Sequence, residues 1–155
     1  HSPETQFELG KALLIRDGTD VAFLSTGETV WHALMAARKL QEYGISSRVV
    51  SMHTVKPLDV DAVISAASNC RAVVTIEEHS VFGGLGEACA TVLMEAGIHV
   101  PFKIVGIPDE YTVTGSQEDI FDHYGINASG LAQVAGTLLS GDTPETEMTN
   151  PSSRS

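Results

Sequence analysis

The sequence predicts an α/β fold: a three-layer α/β/α sandwich with a five-stranded, mostly parallel sheet and one antiparallel edge strand. Strand candidates begin near Val21, Arg48, Ala72 and Phe102, and spacings of 27, 24 and 30 residues match the length of a βα repeat. Apolar residues at helical spacing occupy the intervals between these strands. A chain of 155 residues with 43% hydrophobic content can also bury a core as one domain. Together these observations favour a sheet covered by helices on both faces.

Composition excludes several classes of partner. Nine Lys and Arg against twenty Asp and Glu give a net charge of −11, which argues against nucleic acid and anionic membranes. No apolar run approaches the length of a membrane span. Cys70 and Cys89 match no metal-binding spacing, and Cys89 falls in an apolar stripe, so both are expected to be free thiols in a reducing, cytoplasmic compartment.

The first two strands are predicted to pair with each other. Lys11–Ile15 is a short strand candidate, and the turn signal Asp17–Gly18 separates it from Val21–Leu24. We therefore expect a hairpin that places one antiparallel strand on the edge of the sheet.

A helix should follow the second strand. Ser25–Glu28 has the pattern of a capping box, in which the serine hydroxyl and the glutamate three residues later satisfy each other's backbone donors. Gly44 ends the helix. Trp31 and Met35 lie beside its apolar stripe; the edge of the core is favoured for them over contact with another chain. The stripe itself comprises Val30, Ala33, Leu34, Ala37 and Leu40.

The third strand and its helix are predicted from local signals. Ser47–Ser51 is the strand, Met52–Asp59 the loop, and Asp59 the N-cap of a helix over Val60–Ser68. Lys56 could attract phosphate, but the following Pro57 explains this stretch better as loop geometry.

The remaining predicted elements continue the alternation of strands and helices. Val73–Ile76 suits a buried strand, which is followed by a polar turn and a helix that Gly97 ends. Val100–Val105 supplies another strand. Ser116 can cap a short helix that ends at Gly125, and Ala128–Leu139 forms the last helix.

Three ionisable residues, Glu77, Glu78 and His79, fall where a parallel strand ends, which is where α/β sheets meet ligands and partners. They could be an acid/base cluster or part of a metal site. In an extended chain, Glu77 and His79 share a face that Glu78 opposes, and two residues on one face are few for a metal. A structural or interface role is therefore favoured over catalysis.

The glycines that follow partly match a dinucleotide-binding fingerprint. Gly84 and Gly86 fit the first two positions, but Cys89 occupies the third, a polar loop precedes the glycines, and nearby carboxylates repel phosphate. Close approach of the helix start to neighbouring backbone is favoured instead. The candidate interface or ligand-facing set is Glu77, Glu78, His79, Gly83, Gly84 and Gly86. No catalytic, cofactor-binding or metal-ligating residue is predicted, since no nucleophile with a partnering base and no P-loop is present.

With these motifs in view, the chain resembles the C-terminal domain of the transketolase family of thiamine-diphosphate enzymes. The resemblance runs from about residue 7 to 139, and the Glu77–His79 and Gly83–Gly86 motifs are most similar to transketolases of the split-chain kind. The other motifs that carry it are Gly10–Ala12, Asp17–Val21, Ser25–Gly27, Ala36–Ala37, Leu40, Gly44–Ile45, Met52–Asp59, Val74–Ile76, Gly106–Asp109 and Tyr124–Ile126.

The resemblance implies an assembly role. In this family, thiamine diphosphate and Mg²⁺ lie between pyrophosphate- and pyrimidine-binding domains, and neither the magnesium motif nor the activating glutamate is found here. The resemblance thus implies a non-catalytic domain that binds no cofactor alone, within a homodimeric enzyme that moves a two-carbon ketol unit between sugar phosphates. The alternatives are the corresponding domain of a 2-oxoacid dehydrogenase E1 β subunit or of deoxyxylulose-phosphate synthase, and a small anion- or nucleotide-binding regulatory module.

The ends of the chain are predicted from their polarity. Residues 1–6 are expected to be the end of a linker, residues 7–139 the domain, and residues 140–155 a disordered tail. Because no methionine precedes Met35, we expect a processed or engineered product, or a piece cut from a longer protein.

Overall fold

The computed structural model describes residue 6 and residues 8–141. Five strands and five helices follow one another in the order β1 (Leu13–Arg16), β2 (Val21–Ser25), α1 (Thr29–Gln41), β3 (Ser47–Ser51), α2 (Val60–Asn69), β4 (Ala72–Ser80), α3 (Leu85–Glu95), β5 (Phe102–Ile107), α4 (Gln117–His123) and α5 (Ala128–Ser140). The predicted tail from residue 142 onward and residues 1–5 of the predicted linker lie outside the described residues. No helix in the described part of the chain is long and apolar enough to cross a bilayer.

The sheet has the strand order β1-β3-β2-β4-β5, and β1 is its antiparallel strand. The predicted fold class is confirmed, but the predicted hairpin is wrong. β1 pairs with β3, with Leu13 opposite Ser51, while β2 lies between β3 and β4. Every residue of β2 is fully buried, so burial favours two parallel neighbours for it and leaves the half-exposed β1 at the edge.

Gly18 lies where the chain passes from β1 to β2 across the end of β3, which separates these two strands in the sheet. A Cβ atom at this position would lie 2.3 Å from the backbone carbon of Ser47, at the start of β3. The Asp17–Gly18 turn therefore crosses the amino end of β3 in close contact and is not the tip of a hairpin.

Two hydrophobic clusters cover the two faces of the sheet. Alternate residues of β2 and β4 contribute to each cluster, because successive side chains of a strand point to opposite faces. One cluster packs α1 and α5 onto the sheet, and the other packs α2 and α3 onto it. Trp31 is 60% exposed and Met35 is half-buried, and neither belongs to a cluster, so contact with another chain stays a prediction for both.

Helix starts confirm two of the three predicted caps. The Asp59 carboxylate accepts the Ala62 amide at 3.0 Å, and a reciprocal capping box joins Ser116 and Asp119. The capping box predicted at Ser25–Glu28 is wrong. α1 begins at Thr29 with no side-chain cap, because Ser25 is the buried last residue of β2. The Thr29 hydroxyl instead donates to the Thr26 carbonyl at 2.6 Å.

Candidate functional site

The carboxyl ends of the parallel strands carry the candidate residues, although the local structure differs from the prediction. β4 continues to Ser80, so Glu77, Glu78 and His79 belong to the strand and the predicted polar turn at these residues is wrong. The extension has a backbone cause: β4 keeps its pairing with β5 after an irregularity, and Ser80 lies opposite Ile107. A strand places consecutive side chains on opposite faces, which separates the two glutamates.

Glu77 is a buried carboxylate at the start of α3. Its side chain is 3% exposed, and its two oxygens accept the backbone N–H groups of Leu85 at 2.9 Å and Gly86 at 3.1 Å. The first amides of a helix have no intrahelical partner and carry the positive end of the helix dipole. Glu77 therefore fills, from within the chain, the position that an anion would take at this helix start.

Gly84 and Gly86 permit this arrangement. A Cβ atom at Gly84 would lie 1.8 Å from Glu77 Oε2, and one at Gly86 would lie 2.5 Å from Ile104 Cγ2. Close approach was predicted here, but the neighbours are side chains and not backbone. Gly83 has a positive φ of 71°, and its amide donates to the Glu87 carboxylate at 2.7 Å.

Glu78 and His79 do not join Glu77 in one cluster. Glu78 contacts elements of the opposite face: it accepts a hydrogen bond from Gln117 Nε2 at 3.3 Å, and its Oε1 would lie 2.8 Å from a Cβ at Gly27. The His79 side chain is exposed. The two glutamates are thus not paired as an acid and a base.

A cavity of about 590 Å³ lies at this edge of the sheet and brings the candidate residues together with others. It is lined by Thr26–Gly27, by Met52, His53, Val55 and Lys56 after β3, and by residues from Glu77 to Leu85. Glu8 and Gly10 lie beside it, since His53 Nε2 lies 2.9 Å from the Glu8 carbonyl and the Gly10 amide donates to Thr54 Oγ1. The cavity therefore opens next to the segment that precedes β1.

Sequence reasoning missed Phe82 and gave Lys56 only a loop role. Phe82 is 63% exposed at the cavity, and Lys56 is exposed on its rim. An aromatic residue directly after a strand, in a loop of small and polar residues, is the signal that could have indicated Phe82.

The site contains no reactive thiol. Burial, followed by the charge of Glu77, raises the pKa of Cys89 to about 12, so its thiol stays protonated near neutral pH. Burial also raises the pKa of Cys70. Among residues 8–141, no group of three or more His, Cys, Asp or Glu side chains could hold a metal ion.

Comparison with known proteins identifies the family. The family profile described as "Transketolase, C-terminal domain" matches residues 10–131. The chain belongs to the transketolase C-terminal domain family. This confirms the resemblance that the sequence motifs indicated.

Relatives of this transketolase C-terminal domain include split-type enzymes. It is 45% identical over 130 residues to one of the subunits of the apulose-4-phosphate transketolase of Phocaeicola vulgatus, covering 84% of this chain and 41% of the relative. It is 42% identical over 134 residues to the SqwH subunit of the 6-deoxy-6-sulfo-D-fructose transketolase of Clostridium sp., covering 86% and 41%. A solved structure described as a split gene transketolase, inactive beta4 tetramer, matches with a TM-score of 0.84 at 36% identity, over 90% of this chain and 46% of that one. The chain thus spans about two fifths of the length of these curated relatives.

Proposed function

We propose that this chain is the C-terminal assembly domain of a thiamine-diphosphate-dependent transketolase that transfers a two-carbon ketol unit between sugar phosphates. The domain itself is non-catalytic. Thiamine diphosphate and Mg²⁺ belong to the pyrophosphate- and pyrimidine-binding domains that complete the enzyme. The acidic charge and free cysteines support a cytoplasmic enzyme.

The observation that carries the assembly role is the internal capping of α3. The free backbone donors of a helix start can bind a pyrophosphate group, but at α3 the Leu85 and Gly86 amides already bind the Glu77 carboxylate. The described residues also offer no group of metal-ligating side chains that could hold Mg²⁺. These residues therefore do not fit the cofactor, which supports the placement of the chemistry in other domains.

The carboxyl edge of the sheet is the surface proposed to contact those domains. The candidate residues Glu77, Glu78, His79, Gly83, Gly84 and Gly86 surround the cavity there or shape its wall. Exposed Phe82 supplies apolar contact area, and Lys56 a positive charge on a strongly acidic chain. Glu8 and Gly10, at the start of the domain proposed as residues 7–139, lie at this edge, so a domain that precedes it would end next to the cavity.

The intact enzyme is proposed to be a homodimer. The similar split gene transketolase is described as an inactive beta4 tetramer, which supports contact between copies of such a chain. The E1 β subunit and deoxyxylulose-phosphate synthase remain alternatives within the same class, but the transketolase names of the 45% and 42% identical relatives favour transketolase. The anion-binding module is less favoured because its helix amides are occupied.

Ketol transfer tests the proposal directly. Two samples would be compared: the chain alone, and the chain joined to or mixed with the two other transketolase domains. In each, transfer of the ketol unit from a ketose phosphate to an aldose phosphate would be measured. We expect turnover only in the combined protein. Phe82→Ser should weaken the contact with the added domains, while Met94→Ser, at a similarly exposed apolar position outside the cavity, should not. Turnover by the chain alone would contradict the proposal.

A further inference from the structure

The outer side of β5 is an open sheet edge. β5 is the last strand of the sheet, and only β4 pairs with it among the described residues. Backbone amides in and just after β4 donate to the carbonyls of Pro101 and Ile107, so the odd-numbered residues of this stretch face β4. Because consecutive residues alternate in direction, Phe102, Ile104 and Gly106 turn their N–H and C=O groups outward. A row of this kind is a template for pairing with another strand.

The two edges of the sheet differ in how well they accept a further strand. At the other edge, the pairing of β1 with β3 has an irregularity between Leu14 and Arg16, and such irregularities blunt an edge. β5 contains no proline, and Lys103 is its one charged residue. Of the two edges, β5 is therefore the one suited to an added strand.

An apolar groove of about 660 Å³ runs along β5 on the face that α5 covers. α5 contains no charged residue, although a helix face turned to water normally carries charged side chains. The residues of α5 that line the groove recur at helical spacing and form one continuous face: Gly130, Gln133, Val134, Thr137 and Leu138. The groove thus offers an uncharged surface to the side chains on one face of an added strand.

Lys103 determines the charge that the added strand should carry. Val105 packs in the cluster beneath α1 and α5, so Lys103, two residues earlier, lies on the same face of β5 and lines the groove. Lys103 is exposed and forms no ion pair within the described residues. A residue directly opposite Lys103 on an added strand would share this face, so a carboxylate there would pair with it. The net charge of −11 disfavours further acidic residues in the same segment.

We propose that β5 binds an extended segment of another polypeptide as an additional antiparallel strand. The segment carries one acidic residue opposite Lys103 and β-branched residues opposite Val105 and Ile107. The outward backbone groups of Ile104 and Gly106 form the ladder, and the groove receives the β-branched side chains. Antiparallel pairing is favoured because it is more stable per residue than parallel pairing. This contact goes beyond the proposed assembly function, whose surface is the carboxyl edge of the sheet.

Peptide binding to the 155-residue chain tests the charge. The probe is a fluorescent peptide with the central residues valine, threonine, valine, threonine and glutamate, which lie opposite Ile107 to Lys103 in that order; fluorescence anisotropy measures its affinity. Lys103→Glu should weaken binding by about tenfold, because the cross-strand ion pair becomes a like-charge contact. A peptide with lysine in place of the glutamate should bind this variant to within about threefold of the original pair. Lys11→Glu makes the same charge change just before the opposite edge strand and should leave binding unchanged.

N-methylation of the peptide tests the ladder without any change in the protein. Methyl groups on the two threonine amides remove the donors expected to bond the carbonyls of Gly106 and Ile104, so this peptide should bind at least about tenfold more weakly. Hydrogen exchange should show that the unmodified peptide protects the Ile104 and Gly106 amides. Circular dichroism should show that each protein variant stays folded.

Several results would overturn the proposal. The wild type could fail to bind the peptide at millimolar concentration, or could bind the methylated and unmodified peptides equally, which would leave only the groove as a site. The lysine peptide could fail to restore binding to Lys103→Glu. Protection of the same amides by rising protein concentration without peptide would make a second copy the occupant. None of these results involves ketol transfer, so the proposed function is judged separately.

Discussion

Glu77 provides the most informative single perturbation of the domain. Glu77→Gln keeps one accepting oxygen for α3 but turns an amino group toward the second backbone donor. One hydrogen bond to a charged acceptor is lost, which costs about 1.5–3 kcal/mol, and the remaining one falls to about 1 kcal/mol. Loss of the negative charge at the helix start adds about 0.3–1 kcal/mol. We therefore expect the free energy of unfolding to decrease by about 3 kcal/mol, from a total of about 5–15 kcal/mol for a domain.

Urea denaturation followed by circular dichroism measures this loss. The melting temperature should fall by roughly 10 °C, given about 2–4 °C per kcal/mol for a chain of this size. Glu95→Gln is the matched control, because Glu95 is an exposed residue at the end of the same helix, and its effect should stay within about 0.5 kcal/mol. A loss below about 1 kcal/mol for Glu77→Gln would refute the reasoning that this carboxylate anchors the helix.

Three further predictions follow from the local geometry. Gly84→Ala should destabilise the domain by about 2–3 kcal/mol in urea denaturation, because the added Cβ would overlap the buried Glu77 carboxylate. Gly136→Ala is the control: it lies in α5 with open space around it and should stabilise the domain by about 0.5–1 kcal/mol. Equal effects of the two substitutions would contradict this. Cys89 should not react with a thiol reagent at pH 8 until the chain unfolds. Because burial raises the pKa of Cys89, its contribution to the free energy of unfolding is fully present below pH 9.0 and is lost as the pH rises toward about 12. Cys89→Ala should reduce this loss at high pH. The Arg48 guanidinium, 2.7 Å from Asp17, lowers the pKa of Asp17, so Arg48→Gln should raise that pKa in an NMR titration; an unchanged value would show that the ion pair is absent in solution.

The fold could be predicted because its main signals are local. β-branched runs, apolar stripes and helix caps such as Asp59 each specify their own element, and their spacing indicates a parallel sheet. The choice of neighbour for β1 is not local. It depends on two facts: β2 is the more completely buried strand, and Gly18 crosses the start of β3. Neither fact can be predicted from a short stretch of sequence.

The site was harder to predict for a related reason. Ser25 and Glu28 have the spacing of a capping box, but sheet pairing holds Ser25 in β2 and overrides it. Glu77 looked like a surface residue of a turn, yet continued pairing of β4 with β5 keeps it in the strand and beneath the start of α3. Local polarity indicates exposure, and a buried carboxylate with two amide donors can be recognised only once the helix is placed.

Calorimetric titration of the isolated chain with thiamine diphosphate and Mg²⁺ tests the central claim most directly, since the claim is that this domain supports a cofactor site located in other domains. The account predicts no saturable heat of binding and no change in melting temperature. Stoichiometric binding of the cofactor by this chain alone would contradict it.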